Sequence, residues 1–271
     1  MREKKNRRHP IASALLALMT LAMMMVLVPR FLSTCSSPDP YEWETSGSYS
    51  TSYYSGEFAQ HEGRASYIYE GVTHAKTGVD VSEHQGPIDW TAVAGDGISY
   101  AMIRVGYRGN TEGYLHQDEL FEQNLAAAQG AGIECGVYFY SQAISADEAR
   151  EEAAFVLGIL GSRELSYPVA FDFELSDGNR IGHLDGETAT ACVRAFCDAI
   201  REGGYTPMLY GNAYDLQRLY LSELEYPVWY AEYGMSPSWQ GPISIWQYTN
   251  NGVVNGIGMT CDLNLDLSQV P

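Results

Sequence analysis

The sequence predicts an α/β fold, an irregular barrel of eight strands set behind an N-terminal apolar span and a spacer. Three observations carry this. From about Thr77, short apolar, β-branched or aromatic runs alternate with helical stretches. The strand runs are nearly continuous in apolar residues, as in a largely parallel sheet covered by helices. The last three runs lie too close together for full helices between them, so the barrel is irregular.

The chain opens on a basic run, Arg2 to Arg8, followed by an apolar run, Ile11 to Val28. That length is near the lower limit for a bilayer-spanning helix, and the basic flank is expected to stay cytoplasmic. Residues 1–32 therefore read as a cytoplasmic tail and an uncleaved signal anchor, spanning the membrane at about 11–28. A cleaved signal peptide, giving a secreted protein, is the alternative. A lipoprotein reading of Leu32-Ser33-Thr34-Cys35 fits less well. Residues 33–75, rich in Ser, Tyr, Gly and Glu and without sustained apolar periodicity, read as a flexible spacer.

Residues 76–271 form the expected folded body. Its strands are placed at Gly78–Ser82, Tyr100–Val105, Glu134–Tyr140, Pro168–Glu174, Pro207–Tyr210, Pro227–Tyr233, Ile243–Tyr248 and Thr260–Leu265. Helices are placed at Gln117–Gln129, Ala146–Leu160, Glu187–Glu202 and, more briefly, near Tyr214–Tyr220. Ser145 with Glu148 makes a capping-box start for the second of these.

Charge is spread unevenly. The chain of 271 residues has a formal net charge of −18, yet six of its 16 basic residues lie in the first thirty positions. Beyond them stand 10 basic and 33 acidic side chains, a net of −23. A phosphate backbone would repel such a body, so nucleic acid is excluded as a partner. No CxxC, HExxH, GxSxG, GxGxxG or P-loop pattern occurs, which argues against a zinc ribbon, a metal hydrolase, a serine hydrolase and a nucleotide site. The cysteines Cys35, Cys135, Cys192, Cys197 and Cys261 show no pairing pattern and read mainly as free thiols.

The most informative segment is Tyr167-Pro168-Val169-Ala170-Phe171-Asp172-Phe173-Glu174. Strand side chains alternate, so Ala170, Asp172 and Glu174 share one face. The small alanine marks that face as the barrel interior. Catalytic groups in parallel barrels gather at the carboxyl ends of strands, where Asp172 and Glu174 sit. Pairing with an arginine such as Arg104 is the plain structural alternative. Asp80 closes the first strand and Asp262 lies in the last, and those two strands are neighbours in a closed barrel. Four carboxylates then converge on one mouth. Their mutual repulsion keeps a proton on at least one, which a general acid needs to expel a sugar alkoxide. Aromatic residues on or near strands (Tyr138, Tyr140, Tyr210, Trp229, Tyr233, Trp246 and Tyr248) suit a carbohydrate site, although core packing accounts for some of them.

The sequence resembles the glycoside hydrolase family 25 lysozymes, the Chalaropsis-type N-acetylmuramidases. The resemblance rests on an ordered set of segments across roughly residues 76–271: Gly78-Val79-Asp80-Val81-Ser82 through Trp90, Arg104-Val105-Gly106-Tyr107, Gly136-Val137-Tyr138-Phe139-Tyr140, Asp172-Phe173-Glu174, Tyr205 to Tyr210, Trp229-Tyr230-Ala231, Trp246-Gln247-Tyr248 and Cys261-Asp262-Leu263-Asn264. It implies an irregular TIM-like barrel of about five βα units and three closing strands. It implies cleavage of the β-1,4 bond between N-acetylmuramic acid and N-acetylglucosamine in peptidoglycan glycan strands, with retention and without a metal or organic cofactor. By position, Glu174 resembles the general acid and Asp172 the carboxylate that stabilises the charged intermediate, by attack or through the substrate's N-acetyl group. Asp80 and Asp262 resemble supporting acids, and Tyr138, Tyr210, Trp229, Trp246 and Gln247 are expected to bind substrate. The Asp-x-Asp-x-Glu pattern of family 18 chitinases is broken by Ala170. The protein is expected to act as a monomer, with the anchor doing the work of wall-binding repeats by holding the enzyme near the wall. A non-catalytic glycan-binding module on a membrane stalk is the competing expectation.

Overall fold

The computed structural model describes residues 54–176 and 178–271. The expected anchor and the spacer as far as residue 53 lie outside the described residues. Among those described, no helix is long and apolar enough to cross a membrane.

The elements in chain order are β1 (Glu57–His61), β2 (Arg64–Tyr69), β3 (Val72–Thr73), β4 (Lys76–Val81), α1 (Trp90–Gly95), β5 (Tyr100–Arg108), β6 (Leu115–Gln117), α2 (Phe121–Gly130), β7 (Glu134–Tyr140), α3 (Ala146–Leu160), β8 (Val169–Asp172), α4 (Gly186–Glu202), β9 (Pro207–Asn212), α5 (Ala213–Leu216), β10 (Val228–Ala231), β11 (Ile245–Gly252) and β12 (Cys261–Asp266). Eight strands close a barrel in the order β4-β5-β7-β8-β9-β10-β11-β12, with β12 paired back to β4. Five βα units are followed by three closing strands without helices. Neighbours from β4 to β11 are parallel, whereas β12 is antiparallel to both β11 and β4. The short β6 pairs with the outer end of β5, beyond the reach of β4.

Alternation sorts the strand residues into two cores. Outward-facing Val79, Ile103, Val137, Phe139, Val169, Phe171 and Leu209 pack against helices, whose buried stripes include Ala189, Val193, Phe196 and Ile200 of α4. Tyr100, Met102, Ala170, Met208, Trp229 and Ile245 fill the barrel. Gly78 is required here: a Cβ would lie 2.3 Å from the Tyr100 ring. The side chain of Ser145 caps α3 by accepting from Glu148 N (3.3 Å), while the Glu148 carboxylate accepts from Ile144 N (3.1 Å) rather than closing the reciprocal arm on Ser145. Cys135, Cys192, Cys197 and Cys261 are free and buried.

Three sequence expectations shift. The helix expected at Gln117–Gln129 begins at Phe121, and the one near Tyr214–Tyr220 is a single turn. The spacer expected over 33–75 does not extend that far. Residues 57–73 form an antiparallel meander whose turns, Glu62-Gly63 and Glu70-Gly71, hold both central residues at positive φ, as type I′ hairpins require. Asn-Gly or Asp-Gly is the usual signal for such turns, and glutamate in the first position hid it.

The meander packs against the sector of the barrel that lacks helices. Phe58 meets Trp246 edge-on at 5.3 Å, and the Tyr54 hydroxyl donates to Ile243 O (3.0 Å). Tyr67, fully buried, accepts from Gly56 N (2.7 Å) and donates to Pro271 O (2.6 Å). Outward-facing aromatics on β11, which no helix shields, are covered this way.

Candidate active site

Strand β8 delivers the first two acids. Val169 and Phe171 point outward, and Ala170 points into the barrel. Asp172 therefore sits at the inner rim, 4% exposed. Beyond the strand, Phe173 N donates to Tyr210 O (3.2 Å), Leu175 N donates to Asp215 Oδ1 (2.8 Å), and Glu174 O accepts from Asn179 Nδ2 (2.8 Å). These bonds fix the chain on both sides of Glu174. Arg104 is not its partner: the guanidinium is held by Asp118 (2.9 Å) and Glu83 (3.0 Å).

The second pair comes from β4 and β12. Asp80 lies opposite Asp262 in the antiparallel register. Because β12 runs against the other strands, its first residues stand at the mouth where the others end. Asp80 Oδ2 accepts from Asn264 Nδ2 (2.7 Å) and from Gln247 Nε2 (3.0 Å). Gln247 Oε1 in turn accepts from the Tyr210 hydroxyl (3.0 Å), and Asn264 Oδ1 accepts from Trp229 Nε1 (2.8 Å).

Burial dominates the electrostatics. It raises Asp172 well above the usual carboxylate range, and neighbouring Glu174 adds to the rise. It raises Glu174 too, against the hydrogen bond from Asp172. It pushes Asp262 up to about 9, with the Asp80 charge next in weight, and it also raises Asp80. Within each pair the two carboxyls stand close enough to shift one another's protonation. Two carboxyls in such contact share a proton. Each pair is thus held above the usual carboxylate range and retains a shared proton toward neutral pH, which acid catalysis requires.

A cleft of about 340 Å³ is lined by all four acids and by Tyr138, Tyr210, Trp229 and Gln247. Tyr210 and Trp229 meet at 4.6 Å, and Tyr138 meets Trp229 edge-on at 5.9 Å. Trp246 is the exception. It neighbours Gln247 on β11, so alternation turns it to the outer face, where it is fully buried and its indole donates to Glu232 O (2.8 Å). It belongs to the core under the meander, not to the cleft. Tyr233 and Asn250 also line the cleft. Tyr233 was visible only as one aromatic among several. Asn250 lies beyond a register shift in β11, and no sequence pattern marks it.

A proton-sharing carboxyl pair, a second acid pair and an aromatic wall on one open cleft suit cleavage of a glycosidic bond. The model for glycosyl hydrolases family 25 matches residues 79–257. The chain belongs to that family. Among its family 25 relatives, the autolytic lysozyme of Clostridium acetobutylicum is 28% identical over 190 residues, 69% of this chain and 54% of that protein. The chain therefore spans about half the length of that relative. The bacterial lysozyme of Streptomyces coelicolor superposes with a TM-score of 0.59 at 23% identity, covering 72% of this chain and 94% of that one. The modular autolysin LytC of Streptococcus pneumoniae, in complex with a synthetic peptidoglycan ligand, superposes at 0.61 with 24% identity, covering 77% and 51%. At these identities the superpositions establish the shared barrel.

Proposed function

We propose that the protein is a muramidase, hydrolysing the β-1,4 bond between N-acetylmuramic acid and N-acetylglucosamine in peptidoglycan. The observation that carries this is the buried Asp172 and Glu174 carboxyls standing together at the rim of an aromatic-walled cleft. Family membership and the lysozyme and autolysin relatives support the same substrate.

Glu174 delivers the proton to the glycosidic oxygen as the bond breaks. Asp172 then carries the negative charge that stabilises the cationic sugar, either by attack or by orienting the substrate's acetamide. Glu174, now ionised, takes a proton from the water that completes hydrolysis. Membership of family 25 supports retention. Tyr138, Tyr210, Trp229 and Gln247 bind the sugars. The basic N-terminus and apolar run support a signal anchor that holds a monomeric enzyme outside the membrane and beside the wall.

The test is a digest of purified peptidoglycan by the wild type and by Glu174→Gln, read by reducing-end labelling and mass spectrometry. New muramic-acid reducing ends from the wild type, reduced by a factor of about 10²–10⁴ in the variant, are expected. Near-normal turnover by the variant overturns the role of Glu174, and no cleavage by either overturns the activity.

A further inference from the structure

The Asp80–Asp262 pair is asymmetric, and the asymmetry has a visible cause. An indole N–H can only donate. The bond from Trp229 Nε1 to Asn264 therefore fixes the asparagine's oxygen toward Trp229 and its NH₂ toward Asp80. The hydroxyls of Tyr210 (3.0 Å) and Tyr233 (3.4 Å) lie at Gln247 Oε1 and leave the glutamine's NH₂ facing the same Asp80 oxygen. Amide orientations that would otherwise be ambiguous are thus set by their neighbours. Two N–H donors converge on Asp80 Oδ2. Among the described residues, the hydrogen-bonding partner of the Asp262 carboxyl is Asp80 alone.

The geometry points to Asn264 as a positioning residue that, with Gln247, fixes the negative charge of this pair on Asp80 and leaves Asp262 neutral, its one O–H donating to Asp80. The other Asp262 oxygen, an acceptor on the cleft, suits a hydroxyl or acetamide N–H of the bound glycan, while the Asp80 anion faces the positive charge of the transition state. This role in catalysis rests on the muramidase reading, but the charge assignment does not. The groups facing Asp80 are Asp262 on β12, Asp172 at the end of β8 and Glu174 just beyond it, and the tyrosines Tyr100, Tyr138 and Tyr210 on β5, β7 and β9. Those facing Asp262 are Asp80 and Glu174, with Cys261 beside it in the chain. Both sets are acids or neutral hydroxyls and thiols. Arg104 acts on Tyr138 and Arg64 on Cys261, but their ion pairs are with Glu83, Asp118 and Asp96; among the described residues no cation pairs with Asp80 or Asp262, so the amide donors decide where the charge settles.

The experiment is ¹³C NMR of the full chain with labelled aspartate carboxyls, titrated from pH 4 to 10. The expected result at pH 7 is one protonated carboxyl signal that Asp262→Asn removes, while the signal that Asp80→Asn removes is ionised. In Asn264→Ala, the Asp80 signal is expected to move toward the protonated position at the same pH. An ionised Asp262 signal at pH 7 overturns the assignment, whether or not the protein cleaves peptidoglycan. If the muramidase reading holds, Asp262→Asn, which keeps a neutral donor, costs about tenfold in kcat/KM, and Asp80→Asn costs about a thousandfold or more. Equal losses overturn the proposed division of roles.

Discussion

Truncating Tyr67 to alanine measures how firmly the N-terminal meander belongs to the catalytic body. The ring is fully buried, with Tyr54 at 5.9 Å and Phe58 at 5.2 Å. Its hydroxyl joins Gly56 N to Pro271 O, tying the first described strand pair to the chain's last residue. Removing a buried aromatic ring costs about 3–5 kcal/mol. For a domain of this size, each kcal/mol lowers Tm by about 2–4 °C, so the variant should melt about 6–20 °C below wild type. Tyr67→Phe removes only the hydroxyl, leaves Gly56 N unpaired, and should cost about 1–3 kcal/mol. Differential scanning calorimetry reads both, and one shared transition is expected because the meander and barrel form a single core. A Tyr67→Ala protein that melts within about 2 °C of wild type, or shows a separate early transition, refutes the view that residues 54–73 cover the barrel.

Three further outcomes follow from the same structure. Arg108 is buried, and its Nε donates to the fully buried Glu152 (2.7 Å). Arg108→Met should cost about 3–5 kcal/mol in chemical denaturation by leaving that carboxylate without its cation, held only by the Ser141 hydroxyl (2.7 Å) and Gln142 N (3.4 Å), and a loss under about 1 kcal/mol would contradict this. Asp262 titrates near 9 in the folded protein against about 3.8 when unfolded, so the native state binds the extra proton between these values. Wild-type stability therefore falls as pH rises from about 4 to 9, by up to about 1.4 kcal/mol per unit from this group, while Asp262→Asn falls less steeply because the raised Asp80, Asp172 and Glu174 keep their share; parallel curves would refute it. The acidic body should be repelled by anionic wall polymers, so binding to purified walls should rise between about 0.01 and 0.2 M salt as screening shortens; flat binding would remove that repulsion as a factor.

The sequence by itself determined the strand–helix alternation, the eight barrel strands and the inward face of β8. Those follow from local periodicity, and Ala170 beside Asp172 made the direction of that face legible. It also marked Tyr138, Tyr210, Trp229 and Gln247. Trp246 was misassigned because an aromatic residue beside a site residue looks the same on either face until a neighbouring element claims one. The claimant, the 54–73 meander, was hidden because its turns use glutamate and its strands are too short to show a clear alternation. The sequence also led to four acids at one mouth, through the expected pairing of the first and last strands, but the strand direction that puts Asp262 there was decided only in three dimensions. In a wholly parallel barrel, the start of β12 would lie at the opposite end from Asp172. The antiparallel course of β12 brings Asp262 and Asn264 to the mouth, and strand direction depends on long-range pairing with β4 and β11, to which side-chain periodicity is blind.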